Sequence, residues 1–264
     1  MKQKQRIALL GIAAFALIFA ACGGDSGNNG TEVEGGSSSS GEEALSSSFS
    51  ISGSSAKVQS NSSVALCTNT YGANIVTDCR DGQTYRTVVI GTQTWMAENL
   101  NYAVDSSWCY ENSADSCAKY GRLYQWASAM GLSATYNSTS ASAVISAPQQ
   151  GVCPTGWHIP TDAEWTMLEF AVGDSSVAGT KLKSTSGWDH DGNGTDAYGF
   201  SALPAGSRYY LGDFYFVGYS ADFWSATGIA PGIAFSRTLY HNAEMYLSHG
   251  NETYAFSVRC VQDF

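Results

Sequence analysis

Hydrophobic and polar positions divide this chain into three stretches. Lys2, Lys4 and Arg6 precede an almost unbroken apolar run over 7–21. That order of charge and then apolar residues marks an export signal, and the run is short for a bilayer span. From Gly23 to about Ser63, apolar residues are scattered among Ser, Gly, Asn and Glu, including Ser37-Ser38-Ser39-Ser40. Such a stretch buries too little to fold and reads as a flexible tether. About 40 residues of this kind would have an r.m.s. reach of roughly 35 Å. Beyond it, aromatics and aliphatics recur between closely spaced glycines through Phe264. Residues 64–264 are enough for one well-developed core, and we read them as one domain.

Within this domain the runs 85–90 and 93–96 are β-type and flank Gly91-Thr92, which predicts a hairpin. Further short strands are expected over 222–227, 234–240 and 255–261. Thr161-Asp162-Ala163-Glu164 has the form of a capping box. It predicts a helix running to about Val172, with Trp165, Leu168 and Val172 on one face. A second helix is expected over 120–130, turning Leu123, Trp126 and Ala127 inward. The predicted class is α+β: short antiparallel strands with two main helices.

The apolar run ends in Phe19-Ala20-Ala21-Cys22, which resembles the bacterial lipobox. The resemblance implies removal of residues 1–21, diacylglycerol attachment to Cys22 and a membrane held through that anchor, with 22–63 as lipidated Cys and tether. Gly23, rather than Asp, follows the cysteine, and under the sorting rule for such lipoproteins this implies the outer membrane. Removing the signal leaves ten Lys and Arg against 23 Asp and Glu, a formal charge of −13. With no basic cluster to displace counterions, nucleic acid is excluded as a partner.

Six cysteines follow Cys22. An even number in an exported chain points to three disulfides. Zinc is the rival, but no Cys-x-x-Cys pair is present and no His stands at ligand spacing from a Cys. Of the 15 pairings six cysteines allow, we expect Cys67 with Cys79, Cys109 with Cys117, and Cys153 with Cys260.

The run from Gly151 to Trp165, GVCPTGWHIPTDAEW, resembles the signature of the Fibrobacter succinogenes major paralogous domain. Further blocks agree in order: Asp81-Gly82-Gln83-Thr84-Tyr85, Gln93 to Leu100, Tyr120 to Trp126, Gly199 to Gly206, Phe223 to Thr227 and Ser257 to Val261. The resemblance implies a surface lipoprotein module of the C-type-lectin-like and formylglycine-generating-enzyme (sulfatase-modifying-factor-like) fold group, and it supplies no activity. The generating enzymes' catalytic cysteine pair has no counterpart motif here.

Read residue by residue, the same blocks are mostly architectural. His158, between Trp157 and Ile159 and just before a helix cap, reads as a hydrogen-bonded structural residue rather than a base. Arg208 and Arg259 read as partners for buried carboxylates or carbonyls.

Two stretches carry candidate chemistry. Asp189, Asp191, Asn193 and Asp196 alternate around glycines like the first half of a calcium loop, but Phe200 stands where such a loop needs its bidentate Glu. Calcium or a self-bonded turn are both compatible with this spacing. Between Tyr198 and Trp224 the chain is dense in aromatics. Tyr209, Tyr210 and Tyr215 flank Gly212-Asp213 and are the expected exposed rings, suited to the C–H faces of sugars. No nucleophile elbow, His-Glu-x-x-His, P-loop or dinucleotide fingerprint occurs. The expected function is retention of an extracellular ligand, foremost a polysaccharide. A surface-protein partner, a glycan-acting or generating-enzyme-like enzyme and a purely structural envelope role are the alternatives.

Overall fold

The hairpin expected around Gly91 is present, and it starts the first of two sheets. The computed structural model describes residues 67–264; the expected export signal, Cys22 and the whole of the expected tether lie outside the described residues. In chain order the strands are β1 (Thr70–Gly72), β2 (Ile75–Thr77), β3 (Thr84–Ile90), β4 (Gln93–Met96), β5 (Ser107–Trp108), β6 (Leu123–Gln125) and β7 (Trp157–His158). They continue as β8 (Ser207–Arg208), β9 (Phe214–Tyr215), β10 (Ala221–Ala230), β11 (Ile233–Leu239), β12 (Met245–Asn251), β13 (Ala255–Ser257) and β14 (Val261–Gln262). The helices are α1 (Ala114–Tyr120), α2 (Trp126–Ala129), α3 (Asp162–Val172) and α4 (Ser175–Leu182).

One sheet runs β1-β2-β3-β4-β14-β7. The other runs β12-β11-β10-β13-β6-β5, with the β8–β9 hairpin attached to β13. All strand pairs are antiparallel except β10 with β13, which touch at Phe223 and Ser257. The described residues are therefore α+β, built on a curled antiparallel sheet with few helices and three disulfides.

Helix α3 forms for the expected reason. Thr161 Oγ1 accepts from the Glu164 N–H while the Glu164 carboxylate accepts from the Thr161 N–H, so two otherwise unpaired donors are satisfied. Its buried face is Glu164, Trp165, Leu168 and Val172. Trp165 meets Trp95 at 4.7 Å and Phe223 at 5.6 Å between ring centroids, which joins the helix to both sheets.

The second expected helix is corrected. A helix does end at Tyr120, but it begins at Ala114, and Gly121 stops it with φ +73°. There a Cβ would lie 2.8–2.9 Å from Asn99 and the Leu100 carbonyl, so only glycine fits. Leu123–Gln125 is then drawn into β6 by pairing with β5 and β13. Only Trp126–Ala129 is helical, although Leu123, Trp126 and Ala127 are buried as expected. Sheet pairing overrode local helical spacing. The segment 255–261 also divides, into β13 and β14 in different sheets.

The three disulfides pair as Cys67–Cys79, Cys109–Cys117 and Cys153–Cys260. The last links residues 107 apart, against 12 and 8 for the others. In the chain-entropy account the long closure contributes about 4–5 kcal/mol and the Cys109–Cys117 loop about 2–3 kcal/mol. Cys260→Ser is therefore expected to lower denaturant stability more than Cys117→Ser, and equal losses in urea melts would contradict the assignment.

Candidate ligand-binding site

Strand register builds the site. Antiparallel pairing places Asp222 of β10 opposite Thr238 of β11, and Thr238 opposite Tyr246 of β12. Two residues further along, Ser236 lies between Trp224 and Ser248. Because side chains alternate across a strand, Ser236, Thr238 and Asp222 share one face of this sheet. That face is buried yet polar: Ser220, Asp222, Ser236 and Thr238 are each at most 9% exposed.

These groups line a cavity of about 390 Å³ walled by Tyr209, Phe216, Tyr219, Tyr240 and Tyr254. Ser220 Oγ donates to Asp222 Oδ2 at 2.8 Å, and Thr238 Oγ1 donates to Oδ1 at 2.7 Å. Burial pushes the Asp222 carboxyl upward, against the opposing effect of these two donors. Ser236 Oγ is buried with no hydrogen-bond partner. A buried hydroxyl without a partner is costly unless a bound group completes it.

Of the expected aromatic residues, Tyr209 lines this cavity, and Tyr210 and Tyr215 pack on rings that line it. Tyr209 stacks on Tyr254 with centroids 4.5 Å apart and planes 7° apart, and it meets Tyr215 at 4.8 Å. Tyr210 also stacks with Tyr254, at 6.2 Å with planes 13° apart. Tyr210 and Tyr215 are exposed and Tyr209 is half-buried. The hairpin carrying them folds back closely because Gly206 has φ +66°, and a Cβ there would stand 2.3 Å from the Tyr215 carbonyl oxygen. Tyr254, Tyr240 and the polar floor were not singled out from sequence. The signal that could have found them is the alternation of Ser220 with Asp222 and of Ser236 with Thr238 and Tyr240 inside strands otherwise rich in apolar residues.

The aspartate-rich loop is not brought to this cavity's lining. Asn193 Oδ1 accepts from the Trp188 N–H at 3.1 Å, and Asp196 accepts from the Ser201 N–H at 2.7 Å, both as turn-forming bonds. Asp189 and Asp191 are exposed. Among the described residues, no group of three or more His, Cys, Asp and Glu is arranged to hold a metal ion. The placement adds nothing to the calcium reading beyond the spacing in sequence.

Several other buried charges are taken up by hydrogen bonds and ion pairs of the fold, while Arg208 Nε is left without a partner. Arg259 donates to Asn99 Oδ1 and to the carbonyls of Met96, Phe200 and Ser201. Lys183 Nζ donates to the Tyr240 and Asn242 carbonyls at 2.8 and 2.7 Å, and burial lowers its pKa to about 8. Arg237 pairs with Asp162 and Glu169. Arg208 lies over the Trp108 ring at 3.9 Å rather than on a carboxylate.

With this geometry in hand, comparison identifies the family: the profile of the Fibrobacter succinogenes major domain matches residues 88–262, and the chain belongs to that family. No curated protein and no solved structure matches it.

His158 is held between two carboxylates, Nε2 to Glu164 at 2.7 Å and Nδ1 to Asp263 at 2.6 Å, which leaves neither nitrogen free to act as a base. Burial works to lower its pKa, but the bonds to Glu164 and Asp263 win and raise it above 6.5. Burial works to raise Glu164, but His158 and the Thr161 cap hold it below 4.5.

The raised histidine stabilises fully below pH 6.5 and loses that contribution as pH rises through its folded value. The lowered glutamate stabilises above pH 4.5 and loses its contribution as pH falls. The stability difference between the native chain and His158→Gln should therefore be largest between about pH 5 and 6 and shrink above it. A difference in urea midpoint that is flat from pH 5 to 9 would rule this out.

Proposed function

We propose that this domain is a binding module that retains a polysaccharide at the tyrosine-walled cavity without turning it over. The observation that carries the reading is the pairing of stacked rings with an unsatisfied buried hydroxyl beside a carboxylate. Rings pack on pyranose C–H faces, and Ser236 and Asp222 supply a donor and an acceptor for sugar hydroxyls. Among the described residues, Asp222 is the only carboxylate lining the cavity. Hydrolysis of glycosidic bonds generally needs a pair, so retention is favoured over cleavage.

The generating-enzyme alternative needs a reactive cysteine, and all six cysteines among the described residues are in disulfides. A curled antiparallel sheet stapled by disulfides is compatible with the lectin-like fold group that the sequence resembles. In this reading the lipid on Cys22 anchors the chain to the outer membrane, and the Ser/Gly-rich tether carries the domain away from the lipid surface.

The test is depletion of the purified chain onto insoluble polysaccharides, with a chelator arm to separate cation-assisted from direct binding. Adsorption without release of soluble sugar is expected. Tyr254→Ala should weaken it roughly five- to tenfold, about 1 kcal/mol of stacking. Ser236→Ala should weaken it while leaving thermal stability equal or higher, since it removes an unpaired buried hydroxyl. Product release would favour an enzyme, and absence of adsorption would favour a protein-binding or structural role.

A further inference from the structure

A second cavity, distinct from the tyrosine-walled one, is lined by a buried carboxylate with one oxygen unpaired. Glu252 sits in the short connection between β12 and β13, is 2% exposed, and its Oε2 has no hydrogen-bond partner. It lines a cavity of about 320 Å³ together with Trp126, Ile145, Ala226 and Ile229. The Trp126 indole N–H is already donated to the Ser225 carbonyl at 2.9 Å, so this residue offers the cavity its ring.

The other residues lining this cavity come from 140–149, Thr161 and 226–230, and none of them is charged. Beside the lining, Asp162 donates its N–H to Thr227 and pairs with Arg237, and His158, Glu164 and Asp263 line an adjoining cavity that shares Thr161 and Ala147 with this one. Those three groups are engaged with one another. Among the described residues, nothing lining the cavity therefore neutralises Glu252.

We propose that this cavity is a binding site for a primary ammonium group on an apolar stem, with Glu252 as counter-ion and Trp126 as the ring beside the charge. An ammonium carries three donors and no acceptor, which matches a carboxylate oxygen lacking a donor. A cation near an indole gains further attraction from the ring. The alkyl stem fits walls made of Ile and Ala. The same chemistry is offered by a free alkylamine and by a lysine side chain of another protein.

Burial raises the Glu252 carboxyl to about 7, against the opposing effect of a bond from Gly232. Its ionised fraction rises from about one-tenth at pH 6 to about nine-tenths at pH 8, so ammonium affinity should rise roughly tenfold over that interval. A neutral ligand that needs the protonated acid as donor would show the opposite trend.

The experiment follows the Trp126 indole N–H resonance of the labelled full chain during titration with n-butylammonium, with n-butanol as neutral control and Nα-acetyl-lysine methylamide as the lysine arm. The expected result is that butylammonium binds at least tenfold more tightly than butanol, more tightly at pH 8 than at pH 6, and at least tenfold more weakly to Glu252→Gln. Tighter binding of the lysine derivative than of butylammonium assigns a protein source, and weaker binding a free amine. Equal affinity for butanol and butylammonium, or an affinity that falls with pH, overturns the proposal. If Glu252→Gln does not fold, Ile229→Trp, which fills the cavity at an exposed strand end, should abolish the same shift; retained binding there also overturns it.

Discussion

The structure depends on one crossing of the chain, and Arg259 holds it in place. Between β13 in one sheet and β14 in the other lie only residues 258–260. In that interval the Val258 carbonyl accepts from Leu100 N–H, the Cys260 carbonyl accepts from Met96 N–H, and Cys260 is bonded to Cys153. Arg259 is fully buried, and burial pulls its pKa down to about 9. A guanidinium removed from water is tolerated only where its donors find acceptors. Here it reaches acceptors in the 96–99 and 200–201 segments. Satisfying that charge fixes three distant parts of the chain at once. Val261 then pairs with both Trp95 and His158 and closes the first sheet.

Both cavities hang from the approach to this crossing. Glu252 and Tyr254 immediately precede β13, and β13 pairs with β8 at Ala255 and Arg208, which brings Tyr209 against Tyr254. The buried polar groups then sort by whether their valence is complete. Arg259, Arg237, Lys183 and His158 are all engaged with acceptors and serve the fold. Ser236, Glu252 and Asn101 line cavities with an atom left open, and Trp157, Arg208 and Asn242 each keep one unpaired buried atom as well. Incomplete bonding next to accessible volume is what the two proposed sites have in common.

Much of the scaffold was legible because its causes are local. The capping box at Thr161, the Gly91-Thr92 hairpin and the spacing of Trp165, Leu168 and Val172 act within a few residues of one another. The three expected cysteine pairs are the ones that form, although an even count alone leaves 15 arrangements open. The expected helix over 120–130 failed because β6 exists only through its partners β5 and β13, far away in sequence. The tyrosines were found by their density. The floor beneath them depends on the register of β10, β11 and β12, which no single stretch encodes. Glu252 is likewise unremarkable in sequence and acquires its character only from burial.

The central claim is that the crossing presets a rigid tyrosine stack over a polar floor, ready to receive a sugar ring. Tyrosine ring resonances, followed by NMR in the presence of a soluble oligosaccharide of an adsorbing polysaccharide, test it most directly alongside amide exchange over 255–260. The account predicts that Tyr209 and Tyr254 ring signals shift on binding while exchange protection of 255–260 stays as it was. Binding that leaves both rings unmoved, or that orders 255–260 only when sugar is added, would contradict it.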